Sequence, residues 1–196
     1  MEIILLAVFS YIYGSLPFAY CATALMAGKK LSAEGTGNIG VTNTFKVGGY
    51  GAGIISVMGE ISKAVVPIFL SRYVVPGSLF VTLLCVYCSL VGTSFSVFLK
   101  GRGGKGSTVA IWGLLVLSPY ACGILMCLWF VVIKCAKNNP RIKRIPLAFI
   151  PVVIFAVERD WLFALFGLLV GMLIFLNNYR REDDFAYYGI FNKKRR

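Results

Sequence analysis

Apolar residues run in long blocks along this chain, separated by short clusters of glycine, asparagine and basic residues. About 20 apolar residues in helical form cross the hydrocarbon core of a bilayer. The candidate helices are 3–27, 52–73, 77–99, 107–118, 119–136, 145–157 and 161–178. The fourth and sixth blocks are short. Ser118 and Pro119 set a tight turn between the fourth and fifth in place of one long helix. Pro146 and Pro151 interrupt the sixth and make it the weakest. A five-span count would merge or demote these pieces; the pattern favours seven. The first block follows Glu2 rather than a basic stretch and has no clean cleavage site, so it is expected to be a retained helix. No repeat, low-complexity segment or long linker divides the chain. The expectation is one all-α domain, residues 1–196: a polytopic membrane helix bundle of about seven transmembrane helices with cytoplasmic Gly-rich loops.

Composition sharpens this picture. Of 196 residues, 58% are hydrophobic, and the mean hydropathy is +0.79. A soluble domain has about 45–50% apolar residues, so much of this surface needs lipid. The net charge of +12 raises nucleic acid as a partner. No basic stripe alternates with exposed aromatics, which argues against it. The cations behave as topology signals instead. With the N-terminus outside, the inside loops carry Lys29, Lys30, Lys46, Lys100, Arg102, Lys105, Lys134, Lys137, Arg141, Lys143 and Arg144. The tail adds Arg180, Arg181, Lys193, Lys194, Arg195 and Arg196, while only Arg72 and Arg159 fall outside. This is the positive-inside pattern, and it sets the C-terminus in the cytoplasm. Cys85-x-x-Cys88 is half of a zinc or redox motif. The chain has no histidine and no second such pair, so buried thiols between helices are the better reading.

Four polar clusters carry candidate chemistry. The first is Glu34-Gly35-Thr36-Gly37-Asn38-Ile39-Gly40-Val41-Thr42-Asn43, where glycines let a ligand approach the backbone and Asn and Thr supply donors and acceptors. An ordinary turn has the same composition. The second is Glu60 and Lys63, which share one face of a span; such charges face a bundle interior or a wet cavity, or simply pair with each other. The third is Gly101-Arg102-Gly103-Gly104-Lys105-Gly106-Ser107-Thr108. Its amides and two cations suit an anion, beyond what topology alone asks of a basic turn. It is not a nucleotide-binding P-loop, because Gly106 follows Lys105 and no strand precedes it. The fourth, Asn177 to Phe185, ends the last helix and has a solvated tail as its plain alternative.

Taken in chain order, these clusters resemble the bacterial integral-membrane acyl-phosphate:glycerol-3-phosphate acyltransferases. A family motif S-G-N-x-G-x-T-N is matched by Thr36-Gly37-Asn38-Ile39-Gly40-Val41-Thr42-Asn43, with Thr for Ser. D-x-x-K-G lines up with Glu60-Ile61-Ser62-Lys63-Ala64. G-H-x-x-P-x-F-x-x-F-K-G-G-K-G lines up with residues 92–106, and Y-R-H-x-E-N-I with Tyr179-Arg180-Arg181-Glu182-Asp183-Asp184-Phe185. The departures are specific. Thr93 and Arg181 replace both family histidines, Glu60 replaces Asp, Arg102 replaces Lys, and Asp183-Asp184 replaces Glu-Asn.

The resemblance implies a multi-pass protein of the bacterial inner membrane that uses acyl phosphate and glycerol 3-phosphate, with no cofactor and no metal. It implies catalytic roles for Thr36, Asn38 and Lys105. Gly37, Gly40, Thr42, Asn43, Lys46, Glu60, Lys63, Arg102, Gly103, Gly104, Gly106 and Arg180 are the expected substrate-binding set. The amides of Gly103, Gly104 and Gly106 are expected to meet a phosphate, and Lys46 and Arg180 a second one. Loss of both histidines leaves a degenerate binder as an alternative, and the charges in the second span leave a small organic-anion transporter. The sequence is silent on oligomeric state.

Overall fold

The computed structural model describes residues 1–135 and 142–190. Lys137, Arg141, Lys193, Lys194, Arg195 and Arg196, and Ala136 at the end of the fifth apolar block, lie outside the described residues. The order of helices is α1 (Glu2–Ser15), α2 (Phe18–Ala27), α3 (Val41–Val47), α4 (Gly49–Val74) and α5 (Leu79–Ser94). Then follow α6 (Ser107–Leu117), α7 (Pro119–Cys135), α8 (Ile145–Glu158), α9 (Trp161–Arg180) and the short α10 (Asp184–Tyr187). Among the described residues there is no strand.

Four segments are long and apolar enough to cross a membrane: Glu2–Ala27, Gly49–Val74, Leu79–Leu99 and Trp161–Tyr187. The helices α6, α7 and α8 are apolar but have only 11, 17 and 14 residues. At 1.5 Å per residue they rise between about 16 and 26 Å, against a hydrocarbon core of about 30 Å. The first apolar block is not one helix. Pro17 cannot donate a backbone hydrogen bond, so α1 stops at Ser15 and α2 starts afresh at Phe18. The sixth block is firmer than its prolines suggest. Pro146 occupies the first turn of α8, where no intrahelical donor is needed, and the helix continues through Pro151.

Close packing begins with small residues. A Cβ at Gly14 would overlap the Ser89 carbonyl, and one at Gly92 would overlap the Tyr11 carbonyl. Glycine on both faces lets α1 and α5 meet backbone to backbone. Hydroxyls then bond across the seam: Thr93 Oγ1 donates to Gly14 O at 3.1 Å and Ser96 Oγ to Ser15 O at 2.6 Å. The main core joins Ile68 of α4, Leu90 of α5, Val109 of α6, Ile154 of α8 and Phe166 of α9. Leu25, Phe69, Phe80, Leu165 and Met172 point outward and are exposed. An apolar exterior around an apolar core is what a lipid solvent requires. The polar clusters collect at one end of this bundle, where α3, α10 and the turn before α6 meet.

Candidate active site

The first loop is built around one side chain. Asn43, in α3, is fully buried. Its Nδ2 donates to Asn38 O at 2.9 Å, Glu34 O at 3.1 Å and Leu31 O at 3.5 Å. Its Oδ1 accepts from the Thr36 amide at 3.2 Å and the Tyr188 hydroxyl at 2.5 Å. Burial, then Tyr187 and Asp184, push the Tyr188 phenol above its ordinary value, so it stays protonated and able to donate. Gly35, with φ +58°, passes beneath this knot where a Cβ would strike both Tyr188 and Asn43. Asn43 was expected to orient substrate. The structure commits its polar atoms to the loop itself.

The second loop is a turn folded back on the end of α5. The Gly103 amide donates to Ser94 O at 3.2 Å and the Gly104 amide to Thr93 O at 2.8 Å. These two amides were expected to meet a phosphate; pairing with the α5 terminus takes them instead. Arg181 fastens the same turn, donating from one guanidinium nitrogen to Gly103 O and from the other to Ser94 O. Asn177 Nδ2, near the end of α9, adds bonds to Ser94 Oγ at 2.8 Å and Lys105 O at 3.3 Å. Gly104 is buried against the first loop, where a Cβ would sit 2.5 Å from Ile39 O. Gly103 and Gly104 thus serve close approach between backbones, and Gly106, with φ +79°, turns the chain into α6.

This approach brings three predicted side chains onto one acceptor. Thr36 Oγ1 donates to Asp184 Oδ1 at 2.5 Å. Asn38 Nδ2 donates to Asp184 Oδ2 at 2.9 Å, and Lys105 Nζ pairs with the same oxygen at 3.0 Å. Lys105 Nζ also donates to Glu182 O. Asn38 is 6% exposed, and its Oδ1 has no partner among the described residues.

Beside this cluster opens a cavity of about 340 Å³ between α6, α7, α8 and α9. Asn38, Thr42, Glu60, Lys105 and Asp184 line its polar end, and Leu114, Leu125, Ile150 and Phe166 continue it as an apolar trough. Glu60 and Lys63 form a 2.7 Å ion pair on α4, both buried. The Lys63 ammonium also lies 5.6 Å from the Phe18 ring centre. The pair neutralises itself in low dielectric, with the carboxylate beside the cavity.

The remaining expected residues are more peripheral. Lys46 is exposed and lies 5.8 Å from the Tyr188 ring centre. Arg102 and Arg180 are exposed on the turn and at the end of α9. Gly37, with φ +66°, and Gly40 shape the first loop rather than presenting side chains. Sequence reasoning missed Asp184 and Tyr188 as site residues and saw Arg181 as a topology cation at a lost histidine position. The acidic run after Arg180-Arg181 was the available signal, but a solvated tail has the same composition. Thr93, at the other histidine position, is 3% exposed, and its hydroxyl is tied to backbone carbonyls at 3.1 and 3.0 Å.

Helices with a lipid-facing exterior, and a polar cluster opening on an apolar trough, define an integral-membrane protein. The family model described as glycerol-3-phosphate acyltransferase matches residues 4–186. A glycerol-3-phosphate acyltransferase from Syntrophomonas wolfei is 26% identical over 178 residues, covering 91% of this chain and 90% of that one. One from Desulforudis audaxviator is 30% identical over 174 residues, covering 88% and 86%. The chain belongs to the glycerol-3-phosphate acyltransferase family. Its fold also matches the crystal structure of PlsY (YgiH), an integral membrane glycerol 3-phosphate acyltransferase, in its glycerol 3-phosphate form. The TM-score is 0.79, with 20% identity, 92% of this chain and 90% of that chain covered.

Proposed function

We propose that this protein transfers a fatty acyl group from acyl phosphate to the 1-hydroxyl of glycerol 3-phosphate, giving lysophosphatidic acid. The observation that carries the reading is the convergence of Thr36, Asn38 and Lys105 on one anionic group at the mouth of an apolar trough. An acyl phosphate has this shape: a charged head, a reactive carbonyl and a long apolar tail.

Acyl phosphate is a mixed anhydride, so the carbonyl carbon is already activated. The acceptor hydroxyl oxygen attacks it, the carbonyl carbon–phosphate oxygen bond breaks, and inorganic phosphate leaves with the electron pair. A phosphate oxygen takes the hydroxyl proton. The protein's work is to hold two anions side by side and to stabilise charge as it forms. Lys105, with Thr36, grips a phosphate, and Arg102 supports it from the exposed side of the turn. Asn38 Oδ1, buried and without a partner among the described residues, accepts a hydrogen bond from the acceptor's other hydroxyl and so aims the attacking one. Thr42 helps align it, Lys46 and Arg180 draw in the second phosphate, and Glu60–Lys63 hold the floor. Neither Thr93 nor Arg181 needs to act as a base in this scheme. The N-terminus lies outside and the C-terminus in the cytoplasm of a bacterial inner membrane, in keeping with the distribution of Lys and Arg.

The test is direct. Purified protein in lipid nanodiscs, given acyl phosphate and glycerol 3-phosphate, yields lysophosphatidic acid by mass spectrometry. Lys105→Ala lowers kcat/KM about 10²-fold, or about 2.7 kcal/mol of transition-state stabilisation. A folded natural protein that makes no lysophosphatidic acid overturns the proposal, and anion flux without conversion would mark a transporter.

A further inference from the structure

Asp184 is the group on which Thr36, Asn38 and Lys105 converge, and its charge is opposite to what a phosphate site wants. It sits where three donors from two separate loops converge, 94% buried, with both carboxylate oxygens engaged. The donors are a hydroxyl, an amide and an ammonium, and they address two adjacent anionic oxygens. A phosphate edge offers the same two-oxygen pattern with more charge. The carboxylate therefore occupies the position, and uses the hydrogen bonds, that the proposed reaction assigns to substrate.

We infer that Asp184 is an internal anion seated in the phosphate cradle, and that it sets the site's affinity for phosphate by competing with it. This rests on the acyltransferase reading of the same cradle. Three observations support competition over a passive structural bond. The first is charge. Among the described residues Lys105 is the ammonium bonded to Asp184, and the Arg181 guanidinium, which interacts with it by charge, is itself fastened to Gly103 and Ser94. Asp183 and Glu60 line the same cavity, and Arg144 is the other cation on its wall. A bound phosphate beside an undisplaced Asp184 would set two anions at contact distance, which disfavours both being charged there at once.

The second is position. Asp184 opens α10, a single turn of four residues. That turn is not held by Asp184 alone: the Tyr188 hydroxyl is tied to Asn43, and Arg181 to Gly103 and Ser94. The backbone is fixed on both sides of residue 184, so its side chain can rotate out of the cradle without unseating the segment. The third is chemistry. An asparagine at this position has nearly the same shape, carries no charge, and donates to a phosphate where aspartate repels it. The motif this segment resembles has asparagine here.

A tethered competitor lowers apparent affinity by the fraction of time it leaves the site open. Its removal therefore reads directly as tighter phosphate binding. The experiment uses the full chain in nanodiscs and inorganic phosphate as the probe, by isothermal titration at constant ionic strength. Asp184→Asn is expected to bind inorganic phosphate at least tenfold more tightly than the natural protein. In Asp184→Asn combined with Lys105→Met that gain is expected to vanish, which assigns it to the cradle. Should Asp184→Asn fail to fold, Asp184→Ser is measured against the same tenfold expectation. Unchanged or weaker phosphate binding in either folded variant overturns the inference, as does a gain that survives loss of Lys105. The measurement needs no acyl transfer. Absence of lysophosphatidic acid would remove the acyltransferase reading and leave a phosphate gain standing, whereas normal turnover with unchanged phosphate affinity would remove only the role given to Asp184.

Discussion

Gly104→Ala adds one methyl group at the contact between the two loops. Gly104 does not have a positive φ, so alanine suffers no backbone strain there; the effect is one of space. The new Cβ would lie 2.5 Å from Ile39 O, where ordinary contact begins at 3.4 Å. Both partners are backbone and cannot rotate away, so the loops must part by about 0.9 Å. Asn38 precedes Ile39 and Lys105 follows Gly104, so the same movement separates two of the three groups that meet at Asp184. A misplacement of about 1 Å costs on the order of 10²-fold in rate, and overpacking of this kind about 1–3 kcal/mol in stability. The assay is kcat/KM for lysophosphatidic acid formation, with thermal unfolding in the same nanodiscs. Gly123→Ala in α7 is the control, because nothing lies within 4 Å of its added Cβ. It should keep full turnover and gain up to about 1 kcal/mol from helix propensity. If Gly104→Ala folds and turns over within threefold of the natural chain, loop contact does not position the site.

Asn43→Ala should lower stability by about 3 kcal/mol and abolish turnover, because it removes the partner of the half-buried Thr36 amide and of the buried Asn38 carbonyl; a variant with an unchanged unfolding temperature would refute this. Arg181→His, alone or with Thr93→His, should destabilise the protein without raising kcat. Imidazole cannot span the Gly103 and Ser94 carbonyls as a guanidinium fork does, and a rise in kcat would show that a missing base had limited the reaction.

Hydrophobic blocks alone were enough to find the all-α membrane bundle, since lipid leaves few other solutions for so apolar a chain. The finer breaks were harder because proline acts by position. Pro17 ends a helix, Pro146 starts one, and Pro67 lies inside α4, which continues through it. In the site, Thr36, Asn38 and Lys105 were legible as polar groups among glycines with no packing duty. Asp184 was not, because a carboxylate after two arginines has the same local pattern whether it dangles in water or sits buried among three donors. The glycines of the second loop misled for a related reason. Small size permits a ligand to approach and equally permits another backbone, and only the fold shows that Thr93, Ser94 and Ile39 come close.

The segment from Asn177 to Tyr188 touches both loops: Asn177 and Arg181 hold the second, Tyr188 holds the first, and Asp184 bonds to each. Translation places every one of these groups after the loops they fasten. A nascent chain that has threaded α1 to α6 into the bilayer has the Gly104–Ile39 contact between its loops, but not the carboxylate on which Thr36, Asn38 and Lys105 converge. The site is therefore completed late in biogenesis, once α9 has been laid down and its trailing turn has folded back across the bundle.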